Sequence, residues 1–305
     1  MKAFLGLLKR ELQEHPALYV GPLGVNLFVA VSALLLVARA IGSVEALRNI
    51  AGLIDLADEQ ALAFGRSALV ASPMWLVVIV TIAIGYFYFV DCLYAERKER
   101  TILFFKSFPV TDTATVLSKL FCGIVILPAL SLAAFAVTQL FVLIVVSIAL
   151  AAAGGSAGAI WSAGTIFSNW LFTFYVLISC ALWYAPFIAF LVLVSAWAKR
   201  AVLLWSVFPF FVIQAEYLLP GRNFIAPLIF GHMSGYPAAA FALGEVISGG
   251  GKRSVEEFFE SGALRPLTLT DPAGFVTEPA LWVGGVVAVL FVTAAIYLRR
   301  YRDDS

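Results

Sequence analysis

Five consecutive charges, Glu96, Arg97, Lys98, Glu99 and Arg100, stand in a chain of which only 13% is charged. An apolar run, Ile102, Leu103, Phe104 and Phe105, follows after Thr101, and then Lys106, Ser107, Phe108 and Pro109. The chemistry this stretch offers is binding, not bond-making. Cationic side chains can pair with acidic groups, and aromatic side chains next to them can fill an apolar pocket, as a short surface helix does when it docks a partner. The same composition also suits a solvated loop whose basic residues only fix membrane topology. On pattern alone both readings stay open.

Catalytic chemistry is sparse. Gly249, Gly250, Gly251 and Lys252 approach a phosphate-binding loop, but Arg253 stands where Ser or Thr is needed and Val246 where the first glycine is needed. No H-E-x-x-H or G-x-S-x-G occurs, and no apolar run carries a pair of carboxylates. The three cysteines, Cys92, Cys122 and Cys180, lie in or beside apolar runs without C-x-x-C spacing and read as small buried hydrophobes. The two histidines, His15 and His232, are expected on opposite sides of a membrane, which argues against a histidine metal or haem site. The sequence implies no enzyme, no resident cofactor and no metal. A net charge of +1 gives no reason to expect nucleic acid.

The elements that must position the charged stretch are membrane spans. Of 305 residues, 62% are hydrophobic, and the mean hydropathy is +0.97, well above a soluble domain. The expected fold is an all-α polytopic membrane protein in one transmembrane domain, residues 1–305. Residues 1–16 read as an amphipathic helix ended by Pro16, with Met1, Phe4, Leu5, Leu8 and Leu12 on its apolar face and Glu11 and Glu14 largely on others. A signal peptide cleaved near Ala38 fits less well, because the apolar run is about twenty residues long. Six spans are expected at 18–41, 68–90, 120–153, 169–197, 201–219 and 279–298, with a cytoplasmic segment at 92–118 and an extracytoplasmic one at 220–278. Pro186 should kink its span, and Pro209 lies at the middle of the span at 201–219. Residues 42–67 keep helical apolar spacing and suggest an outer helix. Asn223–Ile247 suggests a re-entrant or interfacial hairpin, and Ser254 with Glu257 has capping-box spacing for a short helix through Phe259. With both termini inside, thirteen of the 20 basic residues fall inside and seven outside, which favours six spans.

Charges deep within spans are nearly missing, so a proton or ion relay is not expected and the chain has no energy source of its own. Asp91, Arg39 and Glu216 lie near span ends, where an interface anchor is the plain reading.

Residues 91–112, continuing to Lys119, resemble the second cytoplasmic segment of bacterial ABC transporter permeases of the ABC-2 exporter class. That family carries E-R-x-x-x-T-[IL]-x-x-x-x-S-x-P followed by a lysine at the next span; Glu96, Arg97, Thr101, Ile102, Ser107, Pro109 and Lys119 match it. The resemblance implies an N-terminal elbow helix, six spans, outer helices between spans five and six, and a cytoplasmic coupling helix seated on a separate ATPase. Glu96, Arg97, Lys98, Arg100, Thr101, Leu103, Phe104, Phe105, Lys106, Phe108 and Pro109 would form that interface. It further implies two ATPase subunits holding ATP and magnesium, and a second permease subunit, most simply a homodimer. The setting is the lipid of a bacterial inner membrane, with both termini cytoplasmic. Asn26, Trp75, Phe211, Gln214 and Glu216 are the candidate pathway residues. The expected function is ATP-driven export of an amphipathic substrate, lipid, peptide or drug-like, because the spans are nearly free of charge. The alternatives are a transmitter that passes ATPase motion to an extracytoplasmic partner, and a membrane scaffold independent of any ATPase.

Overall fold

A computed structural model describes residues 2–41, 73–98, 110–218, 225–241 and 270–301, with isolated positions between 48 and 71 and position 267. Expectations for the outer helix at 42–67, residues 99–109, the glycine run at 249–251 and the short helix after Ser254 fall wholly or largely outside these residues. Among the described residues the backbone is helical, apart from turns and one antiparallel bridge between Phe241 and Thr270. Five helical stretches are long and apolar enough to cross a membrane: Ala17–Ala40, Met74–Lys98, Asp112–Ala152, Ala163–Trp183 and Pro279–Tyr301. The chain is an all-α, multi-pass membrane protein.

Helix α1, Lys2–Glu14, ends where Pro16 cannot donate to the preceding turn, and α2, Ala17–Ile41, begins at once. Leu8 of α1 and Leu18 of α2 are both buried in one apolar core with Tyr88, Phe89 and Val116. Most of α2 faces outward, with Leu27, Phe28, Leu35 and Leu36 exposed, as a lipid-facing span requires. Helix α3, Met74–Asp91, leads through a tight turn into the short α4, Tyr94–Lys98.

Helix α5, Asp112–Phe121, starts at Thr111, whose Oγ1 accepts a hydrogen bond from the Ala114 amide at 3.2 Å. It runs without interruption through one π-helical segment, Cys122–Ile126, into α6, Leu127–Ala152. The π-turn sits against α3: a Cβ on Gly123 would run into the Phe89 ring, so only glycine lets the two helices approach here.

The stretch expected as one span at 169–197 is two helices, α7, Ala163–Trp183, and α8, Ala185–Trp197. They are broken at Tyr184 because Pro186 lacks an amide to continue the ladder. Helix α8 packs along the last helix, α13, Pro279–Tyr301. Residues 201–219 are likewise two short helices, α9, Val202–Ser206, and α10, Phe208–Leu218. Pro209 explains the break, having no amide for the turn before it.

After α10 comes α11, Ile225–Ala240, a single helix that contains Pro237. The short α12, Pro272–Thr277, is capped by Asp271, whose Oδ1 accepts from the Gly274 amide at 2.8 Å.

Candidate functional site

Beneath the charged stretch, the ends of α1, α4, α5 and α13 meet in a buried ion network. Lys119 lies on the inward face of α5 with Thr115 and Val116 and has no exposed surface. Its Nζ donates to both carboxylate oxygens of Glu11, at 2.9 and 2.8 Å, and lies 3.0 Å from Glu96 Oε1. Arg299, at the end of α13, donates from Nη1 to Glu96 Oε2 at 2.5 Å and from Nε to Asp112 Oδ1 at 3.1 Å. Read in order, Glu11, Lys119, Glu96, Arg299 and Asp112 alternate in sign. The Tyr88 hydroxyl stands 2.9 Å from Glu11 Oε1 and 3.1 Å from the Lys119 carbonyl oxygen. His15 Nε2 lies 3.4 Å from the same Glu11 oxygen, and its ring stands edge-on to Tyr88.

A second set of bonds ties in α8. The Arg97 guanidinium donates through Nη2 to the carbonyl oxygens of Ser195 and Ala198, the latter at 3.0 Å. Ser195 Oγ in turn accepts from the amides of Leu93 and Tyr94 at 3.0 Å each. The open amides at the start of α4 and the open carbonyls at the end of α8 therefore satisfy each other's neighbourhoods, as helix ends require when buried.

These contacts correct the expected roles of two residues. Glu96 was expected at a docking surface. It is only 4% exposed, because it continues the inward stripe formed by Gly85, Phe89 and Cys92 and meets two cations there. Arg97 was expected to pair with a partner's acidic groups, but it holds backbone carbonyls within the chain. Glu11, expected on a polar outer face of α1, is also only 4% exposed, and Lys119 draws it inward. Lys98 is exposed, in keeping with a free surface. Arg100, Thr101, Leu103, Phe104, Phe105, Lys106, Phe108 and Pro109 lie outside the described residues.

Glu11, Glu14 and Glu96 can bring one carboxylate oxygen each within 4.8 Å of one another. Glu11 and Glu96 already share the Lys119 ammonium, and Glu14 accepts from Arg10 Nε at 2.7 Å. The arrangement is ion pairing, and it fixes several helix ends to one another.

The candidate pathway residues are placed differently. Asn26 is buried, and its amide donates to the Pro22 carbonyl of its own helix at 2.8 Å. Trp75, Phe211 and Gln214 are exposed. The Glu216 carboxylate accepts from the amides of Ile225 and Ala226, at 2.8 and 2.5 Å, and so caps the start of α11. An acidic group there meets the positive end of the helix.

Helix α11 is held to α7 by aromatic side chains bonded to backbone. Trp183 Nε1 donates to the His232 carbonyl at 2.7 Å, and His232 Nε2 lies 2.9 Å from the Trp183 carbonyl, with the two rings stacked. Tyr175 donates to the Ala240 carbonyl at 2.7 Å, and the Tyr236 hydroxyl meets Ser179 Oγ at 2.8 Å. Burial pushes the Tyr236 phenol well above its ordinary range, which keeps it a neutral hydrogen-bonding group.

Sequence reasoning missed Glu11, Tyr88, Asp112, Ser195 and Arg299 as members of the network. The available signal was spacing: Thr115, Val116 and Lys119, like Cys92 and Glu96, fall on one helical face that is otherwise apolar. No protein-family model, curated protein or solved structure matches the chain.

Proposed function

We propose that the chain is the membrane-embedded subunit of an exporter driven by a separate ATP-hydrolysing protein, moving an amphipathic substrate. The observation that carries this reading is the anchoring of the charged stretch on both sides. Before it, Glu96 and Arg97 are bound to α5, α13 and α8; after it, Asp112 and Lys119 are bound to α13, α1 and α4. A force applied to residues 99–109 from a docked partner would reach the ends of several helices together. That is the mechanical property a coupling segment needs.

In this reading the chain crosses the bilayer six times. Glu11 near the start and Arg299 near the end join one network, which supports placing both ends on one membrane face with an even number of crossings. Five come from the long apolar helices, and α8 completes the return of α7 to the network through Arg97. The sixth is the broken pair α9–α10, which leads from the α8 end back toward α11. Helix α1 is then the elbow helix lying along the face that carries the network. The face itself is the cytoplasmic one of a bacterial inner membrane, by the bias of basic residues.

The test is co-purification. The chain, natively expressed and extracted in mild detergent, should bring down an ATPase. A Lys98→Glu/Phe104→Ala/Phe105→Ala variant with unchanged gel-filtration profile should not. If well-folded wild type brings down no ATPase, the motor-driven reading is wrong and the scaffold takes its place.

A further inference from the structure

On the face that carries the ion network, an apolar cleft of about 360 Å³ opens between α8, α9, α10 and α13. Phe190, Leu193 and Trp197 line one wall, Trp205 and Phe208 the other, and Leu298 the third. Trp197 and Trp205 stand edge to face, 4.7 Å between ring centres, and both are partly exposed. Tryptophan pairs of this kind belong at the level of lipid headgroups.

The turn that joins the two walls is Ala198-Lys199-Arg200-Ala201. It is not slack. Arg97 holds the Ala198 carbonyl at 3.0 Å, the Ala198 amide bonds to Val194, and Ala201 sits in the left-handed region at φ 54°. The strain of a non-glycine residue there is sustained only by a well-determined turn. Lys199 and Arg200 are exposed, and neither has an ion-pair partner among the described residues. The chain has no Asp or Glu at all between Asp112 and Glu216. Two cations without an ion-pair partner among the described residues are thus presented on a fixed turn at the mouth of an apolar cleft flanked by indoles. Arg300, also exposed, lies two residues beyond the cleft-lining Leu298.

We propose that this cleft is a binding site for one anionic phospholipid, with an acyl chain in the apolar cleft beside the paired tryptophans and the headgroup phosphate on Lys199 and Arg200. Charge selects the occupant. A zwitterionic lipid would fill the apolar part equally well but would leave the cationic turn unneutralised. Basic pockets between membrane helices take anionic headgroups for this reason. The proposal does not depend on the ATPase reading.

The experiment uses the full chain in nanodiscs of phosphatidylglycerol and phosphatidylcholine in equal amounts with matched acyl chains, re-extracted in mild detergent. Lipid retained per protein is counted by mass spectrometry. Each basic residue should contribute roughly fivefold to the preference for the anionic lipid. Wild type should therefore retain phosphatidylglycerol at least several-fold over phosphatidylcholine. Lys199→Gln/Arg200→Gln should bring the ratio close to one, and Lys199→Arg should keep it. Leu193→Trp, or Leu193→Phe if the larger ring prevents folding, should lower the lipid retained with the turn intact. Lys9→Gln, an exposed lysine on α1, should change nothing. A wild-type ratio near one overturns the site, as does an equal loss in Lys9→Gln. So does a filled cleft that dissociates a dimer while lipid counts hold, which would assign the cleft to a second copy of the chain.

Discussion

Replacing Lys119 with Met tests whether the network holds the helix ends together. Methionine keeps most of the side-chain volume, so a packing cost stays below about 1.5 kcal/mol. What is lost is the ammonium that touches three carboxylate oxygens at 2.8–3.0 Å. Glu96 keeps Arg299, but Glu11, 4% exposed, keeps only Tyr88 and His15 within this set. Removing one partner of a buried pair costs about 3–5 kcal/mol, because the other charge stays buried without compensation. At about 1.4 kcal/mol per decade, the unfolding equilibrium should rise roughly 150- to 4000-fold. The assay is equilibrium unfolding of the detergent-solubilised chain by titration with sodium dodecyl sulfate, followed by tryptophan emission. The partner experiment is Glu11→Gln/Lys119→Met, which removes the orphaned charge and should be more stable than the sum of its single variants. A Lys119→Met protein within about 1 kcal/mol of wild type, or strict additivity in the pair, would refute the argument that these charges are energetically joined.

Other outcomes follow from single contacts. Arg97→Met should cost about 1.5–3 kcal/mol, the range for hydrogen bonds to a charged group, and should loosen the Ala198–Ala201 turn, read as a change in Trp205 emission. Gly123→Ala should cost about 1–3 kcal/mol by overpacking against Phe89, and Phe89→Leu should recover part of that loss in the same titration. Glu216→Ala should weaken the start of α11 by about 0.5–2 kcal/mol, seen as faster hydrogen exchange at the Ile225 and Ala226 amides.

The class of protein was legible because its signal is long. Runs of about twenty apolar residues fix where spans lie, and α2 and α13 coincide with such runs. Pro186 showed where one span would bend, although the full break at Tyr184, and the one at Val207 before Pro209, depend on how neighbouring helices take up the freed backbone. The network was less legible, because its partners are far apart in sequence: Lys119 and Glu11 are 108 residues apart, and Arg299 and Glu96 are 203. In sequence, Glu96 belongs to a block of five charges and reads as solvated. In space, the turn of the helix sends Glu96 inward and Lys98 outward, and only the cations on other helices make the inward position tolerable. Glu216 shows the reverse case. An acid near a span end resembles a pathway residue until the amides of α11 arrive nine and ten residues later.

The network also imposes an order on biosynthesis. Glu11, Glu96, Lys119 and Asp112 are synthesised early, and together they carry an excess of negative charge. Arg299 follows Glu96 by 203 residues, roughly ten to forty seconds at ordinary translation rates. Through that interval the first helices hold two carboxylates, Glu96 and Asp112, without the guanidinium that joins them. The helix bundle therefore closes electrically only with its last helix, when Arg299 joins Glu96 to Asp112.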